Sequence, residues 1–296
     1  MLIGAVTMNY LSFDIGGTFT KFAVITEDFQ ILEKGEYPTL AMLGRKQIMK
    51  TTINKIKEYR DHYQIHGVAI SSPGVIDFQN GIVTYANNLM PNYAGTNFRQ
   101  EIFQATGLFA TAENDVNCFA LSETLIGNDS FLMITIGTGI GGAIVMDNQI
   151  FHGVNNSAGE FGQMVIDNQK WENLASMRSL VEKARLFNLP VKNGEELFAL
   201  YDQKNIVAMN LVAEFYNYLA KGICNLAYLF NPQKIIFGGG ITRRKDSFIA
   251  ELSSAVSRIV DANYWGSTII TTGKFLSDGG LIGALIHYFN IAKTNK

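Results

Sequence analysis

The stretch Asp14-Ile15-Gly16-Gly17-Thr18-Phe19-Thr20-Lys21 predicts a β-hairpin near the start of the chain. Apolar, strand-like residues precede it at 10–13 and follow it at 22–25, and its glycines let the chain fold back. A second stretch, Gly137-Thr138-Gly139-Ile140-Gly141-Gly142, lies in the same way between apolar runs. Two such hairpins, each with a Gly-Thr pair, indicate two halves of a site for a phosphate chain.

The composition indicates a folded protein of one large or two medium domains. The 296 residues are 47% hydrophobic and 17% charged, with a net charge of −2. No basic patch typical of a nucleic-acid binder is present, so the interpretation of Arg243-Arg244-Lys245 is a solvated helix start. No signal peptide and no apolar run of about 20 residues is found, so no membrane contact is expected. The two distant cysteines fit a cytoplasmic protein. Met8 is an alternative start to Met1.

Strands and helices are predicted to alternate after each hairpin. The pattern occurs twice, which indicates a duplicated α/β unit. We expect one domain at 1–115 with the C-terminal helix 285–296, and a second at 116–284. Predicted strands lie at 67–71, 109–112, 234–237 and 268–271, and predicted helices at 46–59, 98–107, 116–125, 174–187, 194–201, 205–230 and 281–292.

The glycine turns suit a nucleotide triphosphate, which backbone N–H groups can hold without a large basic surface. Glycine is expected there for positive φ and for close approach. Asp14, at a strand end, suits a magnesium ion held through water. A third turn, Gly238-Gly239-Gly240, can place a base and ribose against backbone. The candidate nucleotide-binding residues are Asp14, Gly16, Gly17, Thr18, Lys21, Gly137, Thr138, Gly139, Gly239 and Gly240.

Glu113-Asn114-Asp115-Val116-Asn117 marks the point where a strand ends and a helix begins. Asp115 is a candidate N-cap, a candidate general base, or both. Phosphoryl transfer to an alcohol needs a carboxylate that accepts the hydroxyl proton and orients the oxygen. Polar loops at 72–77, 87–89 and 158–163 offer groups that can bond neighbouring sugar hydroxyls, with Gly74 and Gln163 among the candidates. Each loop residue alone is also typical of an ordinary loop.

Taken in order, these motifs resemble the ROK family (repressor, open reading frame, kinase). The resemblance spans about residues 11–285 and implies an α/β, actin-like (ribonuclease H-like) two-lobed ATPase fold with a central cleft. It implies ATP- and Mg²⁺-dependent phosphorylation of a hexose, usually at the 6-hydroxyl, with Asp115 as catalytic base. The family's sugar-contact positions fall on Asn88, Asn114, Glu160 and Glu172. Relatives are often dimers, so a homodimer is an open expectation.

Three departures from the family pattern concern the acceptor and the branch. Gln163 stands where the family commonly has a zinc-binding histidine, and no cysteine follows in 164–171, so no structural zinc is expected. Tyr93 is the nearest aromatic residue to a position where the family often has tryptophan. Only 13 residues precede Asp14, too few for the helix-turn-helix of repressor members, which favours the kinase branch.

The predicted function is therefore an ATP-dependent sugar kinase that phosphorylates a hexose or a β-glucoside, similar to bacterial β-glucoside kinases. A glucokinase and an N-acetylmannosamine kinase are alternatives. A non-catalytic sugar sensor is an alternative of another class, although it would not need Asp115 beside an intact first hairpin. A heat-shock-like or acetate-kinase-like ATPase would not need the sugar-contact loops. The sequence leaves the sugar and its anomer open.

Overall fold

A computed structural model describes residues 7–87, 89–127, 129–266 and 268–294. Its strands are β1 (Asn9–Ile15), β2 (Phe19–Thr26), β3 (Ile31–Pro38), β4 (Ile65–Ser72), β5 (Val75–Asp77), β6 (Ile82–Tyr85), β7 (Ala110–Asn114), β8 (Phe131–Ile136), β9 (Ile140–Met146), β10 (Gln149–Ile150), β11 (Val165–Ile166), β12 (Gln169–Lys170), β13 (Lys234–Gly238) and β14 (Ile269–Thr272). Its helices are α1 (Gly44–Tyr63), α2 (Phe98–Thr106), α3 (Asp115–Thr124), α4 (Trp171–Ala175), α5 (Met177–Leu186), α6 (Gly194–Asp202), α7 (Ile206–Phe230), α8 (Asp246–Ser257), α9 (Ala262–Trp265) and α10 (Gly279–Thr294).

The chain divides into two compact units. The first contains the residues up to Gly127, the short segment His152–Ser157 and the residues from Ser277 onward. The second contains the residues that follow Gly127 up to Phe151, and the stretch Ala158–Leu276. The sequence-based boundary after Asp115 differs from this division, because α3 packs more extensively against α10 than any other pair of elements. As a division into functional domains, the sequence-based boundary stays a prediction.

The first unit is built on a sheet of order β3-β2-β1-β4-β7. β1 and β2 form the predicted antiparallel hairpin, in which Asp14 pairs with Lys21. β1, β4 and β7 are parallel neighbours, so their carboxyl ends lie at one edge of the sheet. Asp14 is opposite Ser71 there, and Ser72 is opposite Asn114. The edge therefore brings together polar residues that are far apart in sequence.

Helices cover both faces of this sheet, which explains why its central strands are apolar almost throughout. One core contains Phe13, Ile70 and residues of α1 and α2, including Ile48 and Phe98. The other contains side chains of α3 and α10, with Cys118 as a small buried residue. A Cβ on Gly283 would lie 1.6 Å from the Cys118 carbonyl oxygen, so glycine allows α10 to approach α3 closely.

The second unit is built on a sheet of order β10-β9-β8-β13-β14. β8 and β9 form the second predicted hairpin, and β13 is parallel to β8 and β14. The predicted apolar face of α7 is buried in the core of this unit, for example at Val212, Leu219 and Ile223. The single helix predicted at 174–187 is wrong, because Ser176 ends α4 and caps α5 by accepting a hydrogen bond from Ser179 N.

No helix within the described residues has both the length and the apolar character that a membrane crossing requires.

Candidate active site

The first glycine turn joins β1 and β2 by a tight hydrogen bond from Gly16 N to the Phe19 carbonyl oxygen at 3.0 Å. A Cβ on Gly16 would lie 2.8 Å from that oxygen, so a side chain does not fit without a shift. Gly17 and Thr18 are exposed at the tip of the turn. The turn thus presents backbone and the Thr18 side chain to solvent, as a phosphate-binding turn requires.

The expected positive φ is absent from both hairpin turns. Neither Gly16 and Gly17 nor Gly137 and Gly139 has it. The prediction of a positive φ was therefore wrong for these four residues. Close approach of neighbouring atoms, the other expected reason for glycine, applies at Gly16 and Gly139. At Gly139 a Cβ would lie 2.5 Å from Glu172 Oε2, which leaves no room for a side chain.

Asp14 lies beside the first turn at the carboxyl end of β1. Ser71 Oγ donates to Asp14 Oδ1 at 2.6 Å, and Lys21 Nζ extends to the Ser277 carbonyl oxygen at 3.3 Å. Burial raises the pKa of Asp14, and the Ser71 hydrogen bond and the Lys21 charge oppose this only in part. A Cβ on Gly280 would lie 2.6 Å from the Asp14 carboxyl carbon, so α10 begins against this group. A cation nearby would favour the charged form of Asp14.

The junction of β7 and α3 is capped by Asn114. Its Oδ1 accepts from Val116 N at 2.9 Å and from Asn117 N at 3.1 Å. Its Nδ2 donates to the Gly74 carbonyl oxygen at 3.0 Å. The N-cap considered for Asp115 is therefore Asn114, and the amide of Asn114 also anchors the loop after β4. One amide hydrogen of Asn114 has no part in these bonds and can face a hydroxyl.

Asp115 is the first residue of α3, and its side chain is half-buried. Asp115 Oδ1 accepts from Val116 N at 2.9 Å, which orients the carboxylate at the start of the helix. The N-terminus of a helix favours a negative charge. The fixed position fits a group that must accept a proton from a bound hydroxyl.

The loop that follows β4 depends on Gly74, which has φ +101°. A Cβ there would lie 2.3 Å from the Tyr85 carbonyl oxygen, so glycine is required by both conformation and space. Tyr93, the aromatic residue considered near the acceptor, is only 1% exposed and its hydroxyl is 2.8 Å from Ser72 Oγ. Burial raises the pKa of Tyr93. Tyr93 therefore supports the loop from the core.

The second unit brings together three further predicted residues. Gln163 Nε2 donates to Glu172 Oε1 at 3.0 Å, and the other carboxylate oxygen of Glu172 lies against Gly139. Desolvation by the surrounding protein, and then the charge of Glu172, raise the pKa of Glu160. The predicted sugar-contact residues 160, 163 and 172 thus lie close to the second glycine turn.

Where the zinc segment of the family would lie, the chain forms the hairpin β11–β12. Asp167 and Asn168 at its tip both have positive φ, which is typical of a two-residue hairpin turn. Trp171, which follows, is fully buried and its Nε1 donates to the Tyr218 carbonyl oxygen at 2.8 Å. Lys221 Nζ binds Asp167. Packing and hydrogen bonds hold this segment against α7.

Gly239 forms the third turn, with φ +90° and a Cβ position only 2.3 Å from the Ile136 carbonyl oxygen. A cavity of about 780 Å³ lies beside it within the second unit. It is lined by Gly137 and Thr138 of the second turn and by Gly240 of the third. The cavity is large enough for a nucleotide, and two of the three predicted nucleotide-binding turns border it.

Sequence reasoning missed several residues that line this cavity. Arg244 was interpreted as part of a solvated helix start, but its side chain is 15% exposed and binds Asp202 and Glu251 at 3.0 Å. It also stacks on Phe198, with 4.3 Å from the guanidinium carbon to the ring centre. The sequence did contain one signal for a role of Arg244 at this cavity: it follows shortly after the third glycine turn, which ends at Gly240. The other residues missed include Met177, Arg178, Val181 and Arg243.

The remaining predicted residue, Asn88, lies outside the described residues. The others divide between the units: Asp14 to Lys21, Gly74, Asn114 and Asp115 belong to the first, and Gly137 to Gly139, Glu160, Gln163, Glu172, Gly239 and Gly240 to the second. In the part of the chain that the structure describes, no group of three or more His, Cys, Asp or Glu side chains could hold a metal ion by itself.

Comparison with known proteins supplies the wider context. The ROK family model matches residues 10–290 of the chain. The chain is 33% identical to a β-glucoside kinase of Listeria innocua serovar 6a over 296 residues, which covers 95% of this chain and 97% of the relative.

Two solved structures are similar over nearly the whole chain. A proposed N-acetylmannosamine kinase from Listeria monocytogenes has a TM-score of 0.86 and 32% identity, and the match covers 98% of this chain and all of the other. A ROK family protein from Streptococcus pneumoniae in complex with sucrose also has a TM-score of 0.86, with 28% identity over 97% of this chain and all of the other.

Proposed function

We propose that the chain phosphorylates the 6-hydroxyl of a hexose or β-glucoside with Asp115 as general base. The chain belongs to the ROK family and is an ATP-dependent sugar kinase with the actin-like fold. The observation that carries this proposal is the β7–α3 junction. Asn114 fixes the start of α3, and the Asp115 carboxylate is oriented by Val116 N at 2.9 Å. A carboxylate held in this way can accept the hydroxyl proton as the oxygen attacks phosphorus.

In the proposed reaction, the sugar 6-oxygen forms a bond to the γ-phosphorus of ATP while the bond from that phosphorus to the β,γ-bridging oxygen breaks. The hydroxyl proton passes to Asp115, and ADP leaves with the bridging oxygen. Most of the acceleration in such a transfer comes from positioning and charge stabilisation. The hydrogen-bonded junction around Asp115 supplies the first of these for the acceptor.

For the donor, we propose that the three glycine turns and the cavity of the second unit bind ATP. The cavity has apolar residues such as Val181 and Phe198 beside basic ones such as Arg178 and Arg243. This combination suits a base and a ribose together with anionic phosphates. The first turn adds Thr18 and Lys21, one a hydroxyl donor and the other a positive charge.

We further propose that Asp14 holds Mg²⁺ through water. The fit is supported by the raised pKa of its buried carboxyl, whose charge a cation would stabilise, and by the oxygen chemistry that magnesium prefers. When bound, Mg²⁺ would neutralise charge on the phosphates. A structural zinc does not fit the segment Gln163–Glu172, which holds neither cysteine nor histidine. We propose that the β11–β12 hairpin replaces it.

Among acceptors, we propose a β-glucoside such as cellobiose. The 33% identity to a β-glucoside kinase along 95% of the chain supports this choice. The related streptococcal protein is in complex with sucrose, a disaccharide, which supports the proposal that the acceptor site has room for a second sugar ring. Glucose and N-acetylmannosamine are the alternatives within the same chemistry. A homodimer stays a prediction.

The test is a coupled ADP-release assay with cellobiose, glucose, fructose and N-acetylmannosamine at equal concentrations. We expect the highest kcat/KM with cellobiose. A higher value with glucose or N-acetylmannosamine would replace the proposed acceptor but keep the kinase. Sugar binding without ADP release for any of the four would favour the non-catalytic sensor and contradict the proposed role of Asp115.

A further inference from the structure

The residue directly before the capped junction, Glu113, is a buried carboxylate with several protein partners. Its side chain is 1% exposed. Oε1 accepts from Asn114 N at 2.7 Å and from Asn117 Nδ2 at 3.0 Å. Oε2 lies 2.7 Å from His152 Nε2 and 3.6 Å from His287 Nδ1. Glu113 therefore ties the strand end that carries Asn114 and Asp115 to two distant parts of the chain.

His152 is the first residue of the short segment by which the chain re-enters the first unit. Phe151 before it and Ala158 after the segment both belong to the second unit. The His152 ring stacks on Phe78, with ring centres 3.6 Å apart and planes at 10°. Its side chain is only 15% exposed. The hydrogen bond to Glu113 and the stack on Phe78 together fix this segment, which leads directly into the loop that carries Glu160.

The charges around this pair favour an anionic Glu113. Burial alone would raise its pKa, but the hydrogen bond from His152, the nearby His287 and the Asn117 amide hold the pKa of Glu113 below its usual value. Burial, and then the charges of His152 and Arg99, lower the pKa of His287. A buried anion that loses a donor is costly, so His152 is the partner that Glu113 needs.

We propose that His152 and Glu113 are a positioning pair for sugar binding: their hydrogen bond anchors the segment that precedes the Glu160 loop on the strand end that presents Asn114. Neither residue is assigned a contact with substrate. The inference rests on the proposed sugar-contact role of Asn114.

The test compares His152→Phe with His152→Gln in the full chain. Phenylalanine keeps a ring that can stack on Phe78 but removes the donor to Glu113, whereas glutamine keeps a donor. Isothermal titration gives the Kd for cellobiose, with glucose in parallel and without nucleotide, and separately the Kd for ATP. We expect His152→Phe to raise the sugar Kd by roughly tenfold to 100-fold, the range for a lost hydrogen bond to a charged group. The ATP Kd should stay within about twofold, and His152→Gln should recover most of the sugar affinity.

Two further variants complete the design. His66→Phe makes the same substitution at an exposed histidine of β4 and should leave both affinities unchanged. Glu113→Gln combined with His152→Phe should cost little more than the larger single effect, because a pair that acts as a unit is lost only once. If His152→Phe does not fold, His152→Asn serves instead, since its shorter side chain cannot span the contact.

The inference is overturned by a sugar Kd within twofold of wild type in His152→Phe, by a parallel rise of the ATP Kd, or by additive single effects. Failure of the proposed base role would show differently. In that case Asp115→Asn would retain turnover, whatever the sugar Kd of the His152 variants.

Discussion

The β7–α3 junction of the first unit and the cavity of the second are built in opposite ways. At the junction, Glu113 and Asn114 use their side-chain oxygens to bind protein groups, so the position of Asp115 is fixed by hydrogen bonds. At the cavity, Gly137 lines the space and has no side chain to fill it, and Gly239 beside it lets the chain approach the Ile136 carbonyl oxygen closely.

The difference follows from what each region has to do. A base must hold one oxygen atom at a defined distance and angle, which requires rigid polar contacts. A nucleotide is large and can be held by many weak contacts to backbone and apolar surface, which requires room.

Asp115→Asn should give the largest loss. The amide keeps the size of the side chain but cannot accept the hydroxyl proton, so kcat should fall by about 10²- to 10⁴-fold, the usual contribution of a general base. The ATP Kd should change little, since Asp115 is not among the residues proposed to bind ATP. Coupled ADP release and isothermal titration measure the two quantities. Retained turnover would show that Asp115 is not the general base. It would also contradict the comparison drawn between the β7–α3 junction and the cavity.

Gly239→Ala tests the cavity side. At φ +90° and ψ 176° an alanine is strained, and its Cβ would lie 2.3 Å from the Ile136 carbonyl oxygen. We expect a loss of at least about 2 kcal/mol in the free energy of unfolding and a higher KM for ATP. Gly240→Ala is the matched variant, because its Cβ would meet no atom within 4 Å. Equal losses of stability in the two variants, by urea unfolding, would contradict the close-approach argument.

Asn114→Ala tests the junction through stability. It removes the cap of α3 and the bond to the Gly74 carbonyl oxygen, so we expect a loss of about 1–2 kcal/mol. Asn114→Ser keeps a capping oxygen but cannot reach Gly74, and should lose less. Urea unfolding of both proteins gives the values. If the serine variant is as unstable as the alanine variant, capping is not what holds the junction.

His287→Leu tests the smallest effect, a change in how stability depends on pH below 7.5. Burial lowers the pKa of His287 below its usual value of about 6.5, so below about pH 6.5 the unfolded chain binds a proton that the folded chain does not. Stability is therefore lost as the pH falls, and the loss should be smaller in His287→Leu. The groups that face this ring are Glu113, His152 and Arg99.

The measurement is the free energy of unfolding in urea between pH 7.5 and 5. Glu113, whose pKa is held below its usual value of about 4.5, adds a loss of the same sign that begins only below about pH 4.5, outside this window. His66→Phe, at an exposed site, should keep the wild-type slope. A wild-type slope in His287→Leu would show that His287 does not titrate as its burial requires.

Much of the fold could be predicted because local signals and packing agree. Both hairpins, the strand that ends at Gly238 and the helix 205–230 follow from apolar periodicity with glycine or asparagine at the ends. The prediction of one helix at 174–187 failed because serine occurs both inside helices and at their caps. The sequence therefore did not show that Ser176 caps α5 by accepting a hydrogen bond from Ser179 N. The burial of Arg244 was misjudged because it depends on contacts with Asp202 and Glu251, which the local sequence does not show.

The sequence alone determined the order of the motifs, and with it the ROK family, the actin-like fold and the sugar kinase chemistry. It also placed Asp115 at a strand end, since strand and helix patterns meet there. Only the tertiary structure decided that Asn114 is the cap, that Gly74 binds its amide, that Glu172 lies against Gly139, and that His152 binds Glu113. Periodicity and capping act between neighbours in the chain. The Asn114 cap is also a local contact, but the other three join residues 33 to 40 positions apart. Such contacts form only when the sheets bring strand ends and loops together.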